Sequence, residues 1–535
     1  MALTLSRRAA MMSALSAGSL SLLARAAGAQ GVAANTGGAA AAIDAFVQQV
    51  MAAYPDQPAV GVAVVENGVT TLTRGYGVRK LGEAARVDET TLFGIASNTK
   101  AMTAAAIAML VEAGQVEWDA PVTRYMPGFE MSDPTVTRLM TVRDLLVHRS
   151  GLSLGAGDLM IWPSTLHTRA EIVAGLKHLP ISGRFRDGYA YDNVLYVAAG
   201  MLIEAVSGMS WEAFIQTRIF DPLGMADSTP APRADRIKDS AWPHVRLGPP
   251  VRGLGEMKPI GFDASFQAAA PAGGVNASPR DIAKWMQVQL ALGALPDGRR
   301  LWSEVQSREM WKPQTITSSG VGPDAEHPAR PTLTAYALGW VVSDFRGERV
   351  LDHSGGLAGF ISRTQLLPGR RSGVMIMTNA EESGVLRSLR YGGMDRLAGR
   401  DDFDWIADSR RLDAESEAST LRGLAEATTV AGGGRPASLP RSAYTGVYRD
   451  PWYGTVTVSE RDGGLHLAFD KSPVLKGALE PFDGDTFRAR FPADQEDAFV
   501  TFTVENGRVV SATMKAVSPL ADFSYDFQDL RLTKV

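Results

Sequence analysis

Ser97 and Lys100 are the residues whose types and spacing point most directly to chemistry. They form an S-x-x-K motif where an extended segment is predicted to become a helix. Residues three apart lie on one face of a helix, so the amine can reach the hydroxyl. A serine needs a base to become a nucleophile, and burial beside a helix N-terminus favours the neutral form of a lysine. The motif predicts a serine nucleophile with a lysine base; an N-cap serine followed by a solvated lysine is the alternative.

Tyr191 and Asn193 form a second motif, Y-x-N, just before a predicted helix over residues 194–206. A phenol near a lysine can pass a proton to a leaving group, and a short amide can hold the substrate or the lysine. Tyr189 is the competing candidate for the phenol, and a tyrosine that merely packs at a helix start is the non-catalytic alternative.

His353, Gly355 and Gly356 belong to a third motif, H-S-G-G, predicted at a strand end. Glycines there let a substrate backbone lie close to the strand. The N–H groups of Gly356 and Ser97 are the predicted pair of oxyanion donors. For His353 the alternative is an exposed histidine at the end of a strand.

The three motifs, in this order, resemble those of the serine β-lactamase and penicillin-binding-protein superfamily, in particular the class C type with its esterase and D-aminopeptidase relatives. Further stretches that look like this family lie at residues 141–152, 221–225 and 271–275. The resemblance covers roughly residues 42–400. The part of the chain after residue 440 resembles the lipocalin-like domain attached to some members.

The resemblance implies a role for each residue. Ser97 would be acylated, Lys100 would be its base, and Tyr191 would protonate the leaving group and help activate the deacylating water. Asn193 would orient its neighbours. His353 stands where many members have lysine, and a histidine is mostly neutral at neutral pH. This departure favours peptides, amides or esters over β-lactams.

We therefore expect a serine hydrolase that cleaves a small peptide or amide through an acyl-enzyme. The chain as a whole also resembles bacterial peptidases that act on linearised microcystin, which suggests linear peptides with unusual residues. An esterase or β-lactamase on the same scaffold is one alternative. A non-catalytic protein that binds peptidoglycan-like peptides is another, and it is disfavoured because Ser97, Lys100 and Tyr191 are all present.

Other sequence features argue against different chemistries. Ser153 lies in a G-x-S-x-G run, but without the strand before it and helix after it that a nucleophile elbow needs. His148 is predicted to bond the loop backbone. No histidine pair has metal-ligand spacing and no phosphate-binding glycine loop is present, so we expect no metal and no cofactor. The net charge of −4 gives no reason to expect a nucleic-acid partner.

The elements that must position these residues are predicted from periodicity. Strands are expected at 61–65, 69–74, 350–353, 360–367 and 374–378, and helices at 42–53, 101–112, 142–147, 194–206 and 279–292. Strands at both ends of the domain with helices between them predict an α+β fold. In it, one β-lactamase-like antiparallel sheet is flanked by helices, beside an all-helical region.

The remaining segments set the domain boundaries. We predict a hydrolase domain at 42–407, a linker by composition at 408–440, and a small lipocalin-like β-barrel at 441–535, where about eight short strands follow one another. Residues 1–29 have the basic start, apolar middle and small-residue end of a signal peptide. The paired Arg7 and Arg8 suggest twin-arginine export, and an ordinary Sec signal is the alternative. We expect a periplasmic or secreted protein without a membrane anchor after processing; its oligomeric state is left open.

Overall fold

The computed structural model describes residues 38–263, 266–320, 322, 327–431 and 434–535, with backbone only at 427–431. The predicted signal peptide lies outside the described residues. The helices are α1 Ala39–Ala53, α2 Lys100–Glu112, α3 Pro134–Leu139, α4 Arg169–Gly175, α5 Asn193–Ser207, α6 Trp211–Ile215, α7 Asp221–Leu223, α8 Ala270–Gly273, α9 Pro279–Leu290, α10 Glu304–Met310, α11 Ser383–Leu397 and α12 Trp405–Ala431.

The first part of the chain is built on an antiparallel sheet. Its strands and two short pairs beside it are β1 Ala59–Glu66, β2 Val69–Gly77, β3 Phe93–Gly94, β4 His244–Leu247, β5 Glu256–Pro259, β6 Asn276–Ala277, β7 Thr315–Ser319, β8 Leu333–Tyr336, β9 Val341–Phe345, β10 Glu348–Leu357, β11 Phe360–Leu367 and β12 Ser372–Thr378. The sheet order in the described chain is β2-β1-β12-β11-β10-β9-β8-β7. Strands from distant parts of the chain thus share one sheet, which confirms the predicted α+β fold.

The joint between the two halves of this sheet is the pairing of β1 with β12. Val60 lies opposite Thr378 and Val65 lies opposite Gly373. Both strands are buried almost throughout, as expected of strands covered on both faces. Helices α1 and α11 pack together beside β12, while α9 packs against β1 and β2.

Helix α2 carries Lys100 and is buried nearly all round, as its apolar sequence predicts. It packs against α5, α6, α8 and α10 in the helical region. A helix surrounded in this way holds its first turn in a fixed place. The same helical region contains α5, whose first residue is Asn193.

The C-terminal part, described without gaps over residues 434–535, is a closed barrel that confirms the prediction. Its strands are β13 Gly446–Asp450, β14 Gly454–Arg461, β15 Gly464–Phe469, β16 Lys476–Asp483, β17 Thr486–Arg490, β18 Ala498–Glu505, β19 Arg508–Ala516 and β20 Leu532–Lys534. Pairing of β13 with β20 closes the barrel and leaves no free edge.

Two predicted elements differ from the structure. Residues 142–147, predicted as a helix, contain only the 3₁₀ turn Arg143–Leu145. The segment that we predicted as a linker is mostly the long helix α12, which packs on α11. Its alanines and charges are good helix formers, and Arg411 pairs with Glu415 one turn on at 2.8 Å. The composition of this segment suggested a linker, whereas the helix propensity of its residues and their packing on α11 produce a helix.

No single helix of the described residues is long and apolar enough to cross a membrane. α5 and the helical segment that ends at Leu223 pass that test only together, across a bend of 76°.

Candidate active site

Ser97 lies in a short 3₁₀ helix, Ala96–Thr99, that joins β3 to α2. Ala96, the first residue of this helix, has φ of 49°. This left-handed conformation costs a non-glycine residue about 1–3 kcal/mol. The turn is held from both sides. The N–H of Ile95 donates to the Val275 carbonyl at 3.0 Å, and the Asn98 amide donates to Ser362 Oγ at 2.8 Å. This rigid turn directs Ser97 into a cavity of about 400 Å³.

Lys100 is fully buried beside Ser97. Its Nζ lies 2.9 Å from Ser97 Oγ, 2.8 Å from Asn193 Oδ1 and 2.7 Å from the Ala272 carbonyl oxygen. Burial lowers the pKa of Lys100 to about 7, while the charge of Asp158 acts in the opposite direction. A large fraction of this amine is neutral at neutral pH, and its lone pair can then take the proton of Ser97.

Tyr191 is the third side chain of the group formed with Ser97 and Lys100. Burial raises the pKa of its phenol well above the usual value, and a hydrogen bond with Ser97 acts in the opposite direction. Its ring centre lies 4.8 Å from Lys100 Nζ. Tyr191 thus remains a protonated donor within reach of both residues. Tyr189, the competing candidate, lies on the wall of the same cavity and is 37% exposed.

Asn193 holds the lysine, one of the two functions that its motif suggested. Its Oδ1 accepts from Lys100, and its Nδ2 donates to Asp158 Oδ2 at 2.8 Å. The side chain therefore links the amine to a buried carboxyl group that no sequence motif indicated.

His353 lies on β10 and is only 2% exposed, so the alternative of an exposed histidine is wrong. Its Nδ1 lies 2.6 Å from the Ser354 carbonyl oxygen and its Nε2 lies 2.8 Å from the Tyr336 hydroxyl. The carbonyl can only accept, so Nδ1 carries the proton and the tyrosine donates to Nε2. Burial, and secondarily the charge of Lys100, lowers the pKa of His353 to about 3. The ring is neutral, as expected from the sequence.

The two glycines of β10 serve different purposes. A Cβ added at Gly355 would lie 2.3 Å from the Ile95 carbonyl oxygen, so only glycine lets β10 approach the turn that bears Ser97. A Cβ at Gly356 would meet nothing within 4 Å. Gly356 lines the same cavity as Ser97, which is where the predicted second oxyanion donor is required.

Sequence reasoning missed three residues of this site: Asp158, Phe523 and Ser524. Asp158 is fully buried, and its Oδ2 accepts from Ser524 Oγ at 2.8 Å as well as from Asn193. Phe523 lines the cavity that contains Ser97. Two of the three belong to the barrel part of the chain, and none lies in a recognisable motif. Only the three-dimensional structure brings them to the nucleophile.

The remaining candidates lie where the sequence indicated. Ser153 is a loop residue whose hydroxyl donates to Asp529 Oδ2 at 3.1 Å. His148 bonds the loop backbone, since its Nδ1 accepts from the Asp192 N–H at 3.0 Å. Within the described residues, no three His, Cys, Asp or Glu side chains are grouped so as to hold a metal ion.

Two family models match the chain. The model described as Beta-lactamase matches residues 43–397, and one described as a domain of unknown function, DUF3471, matches residues 432–534. The chain is similar to the unguisins hydrolase ungD of Aspergillus violaceofuscus, with 28% identity over 471 residues, 81% of this chain and 80% of that protein.

Two solved structures are also similar. The octameric penicillin-binding protein homologue from Pyrococcus abyssi has a TM-score of 0.57 at 20% identity and covers 92% of this chain and 99% of its own. The D-amino acid amidase from Ochrobactrum anthropi has a TM-score of 0.53 at 22% identity and covers 69% and 99%. At these identities the two structures show the shared fold alone.

Proposed function

The chain belongs to the beta-lactamase family and is a serine hydrolase, and from that premise we propose that it is exported and cleaves peptide or amide bonds through an acyl-enzyme on Ser97. The observation that carries this proposal is the contact of 2.9 Å between Nζ of the fully buried Lys100 and Oγ of Ser97, which faces the cavity. Burial supplies the amine with the near-neutral pKa that a base for serine requires.

Acylation follows from this geometry. Neutral Lys100 takes the proton of Ser97 as Oγ attacks the substrate carbonyl carbon, and the carbonyl oxygen becomes an oxyanion between the N–H groups of Ser97 and Gly356. When the tetrahedral intermediate collapses, the C–N bond breaks and Tyr191 gives its proton to the departing amine. The Lys100 ammonium then returns a proton to the Tyr191 oxygen, so the pair ends as it began.

Deacylation reverses the roles. A water molecule loses its proton to the Tyr191 and Lys100 pair as its oxygen attacks the acyl carbon. The ester bond to Ser97 breaks, and the serine oxygen regains a proton from Lys100. The acid product leaves and the free enzyme is restored.

The charges lining the cavity support amides and peptides over β-lactams. His353 is neutral where many relatives carry a lysine. Arg363 lines the same cavity, and its partner Asp352 is shared with Arg390, at 2.8 and 3.0 Å. Asp352 accepts from both guanidinium groups, so its carboxylate partly offsets their charge next to the neutral His353.

The shape of the cleft supports a peptide of several residues. The cavity at Ser97 shares Trp162 and Leu357 with two neighbouring cavities of about 870 and 280 Å³. The smaller one is lined by aromatic side chains, among them Phe262 and Phe360. We propose linear peptides with unusual residues, linearised microcystin among them, as the substrates. The fungal relative is itself named a hydrolase, which supports a hydrolytic reaction.

The first test is active-site labelling. Wild type, Ser97→Ala and Ser153→Ala are each incubated with a fluorophosphonate and, separately, with penicillin, and intact mass is measured. We expect fluorophosphonate to label wild type and Ser153→Ala, the matched control, and to leave Ser97→Ala unlabelled. Labelling of Ser97→Ala would contradict the proposal by placing the nucleophile at another residue. No labelling of any form would also contradict it and would favour a binding protein.

A substrate panel then separates the reaction classes on this scaffold. Linear peptides, simple amides, esters and β-lactams are compared by kcat/KM. The proposal requires peptides or amides to be preferred. A preference for esters or β-lactams would instead support the esterase or β-lactamase alternative. Export is tested by N-terminal sequencing of protein recovered outside the cytoplasm, where a start close to residue 30 is expected.

A further inference from the structure

A loop of the barrel forms part of the wall around the nucleophile. Residues 522–529, here called the C-terminal segment, lie between β19 and β20. The ring of Phe523 lies 5.9 Å from that of Tyr191, centre to centre. A Cβ added at Gly155 would lie 2.7 Å from the Phe523 ring, so the loop of the hydrolase domain is closely fitted to the segment.

Ser524 of this segment connects to the lysine through two buried side chains. Its hydroxyl donates to Asp158 Oδ2 at 2.8 Å, and the Asn193 amide donates to the same oxygen, also at 2.8 Å. The other end of that amide accepts from Lys100 Nζ at 2.8 Å. The contacts form a continuous chain of hydrogen bonds from the barrel to the amine beside Ser97.

The segment is itself fixed to the loop that carries Asp158. Asp526 accepts from the N–H of Gly157 at 2.7 Å and from that of Leu159 at 2.9 Å, one oxygen to each. The N–H of Ser524 donates to Asp522 Oδ1 at 2.9 Å. These bonds hold the backbone on both sides of Asp158, so they keep its carboxyl group in reach of the Ser524 hydroxyl.

We propose that Ser524 is a positioning residue for the catalytic lysine, acting through Asp158 and Asn193, so that the barrel completes the active site. The inference rests on the proposed function, because it assigns Ser524 a part in the base chemistry of Lys100. A barrel that only packed against the hydrolase domain would not require the buried hydrogen bond from the Ser524 hydroxyl to Asp158.

The electrostatics give the contact a measurable consequence. Burial raises the pKa of Asp158 to about 7, and the hydrogen bonds from Asn193 and Ser524 act in the opposite direction. The charge of Asp158 in turn raises the pKa of Lys100. Without the Ser524 hydroxyl, Asp158 holds its proton more strongly, loses charge at neutral pH, and lets the pKa of Lys100 fall.

Other titratable groups surround Asp158 and Lys100, and these groups are unchanged in every variant. They are Tyr191, Tyr196, His148, His353, Asp192, Asp522 and Asp526. Burial holds the two histidines and two tyrosines in their neutral forms, and it favours the protonated forms of Asp192 and Asp526. A change confined to Ser524 therefore reports on Asp158 and Lys100.

The experiment compares Ser524→Ala with Ser518→Ala in the full-length protein. Ser518 is a buried serine just before the segment, and its hydroxyl accepts from the Leu520 N–H rather than contacting Asp158. The rate of fluorophosphonate labelling of Ser97 is measured from pH 5 to 9. We expect Ser524→Ala to move the rise in rate to lower pH by about half a unit and to lower the plateau about tenfold, since base strength and alignment are both reduced. Ser518→Ala is expected to match wild type.

Asp158→Asn is the second variant, because it keeps the shape and the acceptor while removing the charge. It is expected to shift the rise in the same direction as Ser524→Ala. Profiles of both variants that superimpose on wild type would overturn the inference while leaving the proposed function intact. A wild type that does not label at Ser97 would overturn both. Thermal unfolding of each variant confirms that the compared proteins are folded.

Discussion

Lys100 is the residue on which the chemistry depends, and its position is costly to the fold. Three oxygen atoms surround the amine, yet burial alone lowers its pKa from 10.5 to about 7. Between pH 7 and 10.5 the lysine is protonated in the unfolded chain, whereas the buried amine of the native protein is neutral. Stability is therefore lost as the pH falls through this window and is regained as it rises.

Lys100→Met tests this cost together with the catalytic role. We expect labelling of Ser97 to fall by at least about a hundredfold, because the base is gone. The melting temperature should rise by about 2 °C or more near pH 7, because the desolvated amine is removed. The gain should shrink as the pH rises towards 10.5, above which the wild-type lysine is mostly neutral in both states. Calorimetry of both proteins across this range checks it, and a gain that grows with pH would contradict the account.

At the residue scale the sequence predicted what is local and missed what is distant. Ser97 and Lys100 were found because a spacing of three residues already brings them together. Asp158 and Ser524 are 366 positions apart, and neither has a neighbour in sequence that marks it. Such a contact depends on how the barrel docks, which no periodicity records.

At the element scale, β10 and the turn before α2 form one close contact. Periodicity predicted β11 with the bounds that the structure has, Phe360–Leu367, where burial alternates over the first four residues and is continuous over the last four. It missed α12, whose helix depends on packing against α11. The role of Gly355 was assigned to substrate access, whereas the structure shows the strand pressed against the Ile95 carbonyl.

Gly355→Ala and Gly356→Ala form a matched pair that tests this contact. The first places a methyl group 2.3 Å from the Ile95 carbonyl oxygen, and the second places it in open space. We expect Gly355→Ala to lose about 1–3 kcal/mol of unfolding free energy and to label slowly, because β10 must move away from Ser97. Gly356→Ala should keep wild-type stability. Equal stabilities in denaturant unfolding would refute the role assigned to the close approach.

At the scale of the whole molecule, the barrel and the hydrolase domain are joined at the active site. Asp526 caps two N–H groups of the loop that bears Asp158. Another contact links the domains at the surface, where Lys471 pairs with Glu171 at 2.8 Å. Exposed pairs contribute little, so the buried Asp526 contacts are expected to dominate the coupling between the domains.

Asp526→Asn should weaken this coupling. The substitution replaces one of the two carboxylate oxygens by an NH₂ group, which then faces the backbone N–H of Gly157 or Leu159 and cannot accept from it. We expect the melting temperature to fall by several degrees and the domains to unfold in separate steps. Asp529→Asn is the control, since the Asp529 carboxylate accepts the Ser153 hydroxyl across the same interface and no backbone N–H of the described hydrolase domain. Differential scanning calorimetry distinguishes the two, and identical unfolding of both variants would show that Asp526 does not hold the domains together.

If a neutral Lys100 activates Ser97, the rate of Ser97 labelling in the wild type must depend on the protonation of that amine. The rate constant for fluorophosphonate is measured from pH 5 to 10 by intact mass, with the site confirmed by peptide mapping. We expect the rate to rise about tenfold per pH unit and to level off above about 7, the pKa to which burial lowers Lys100. A rate that is flat across this range, or that rises only towards pH 10, would contradict it.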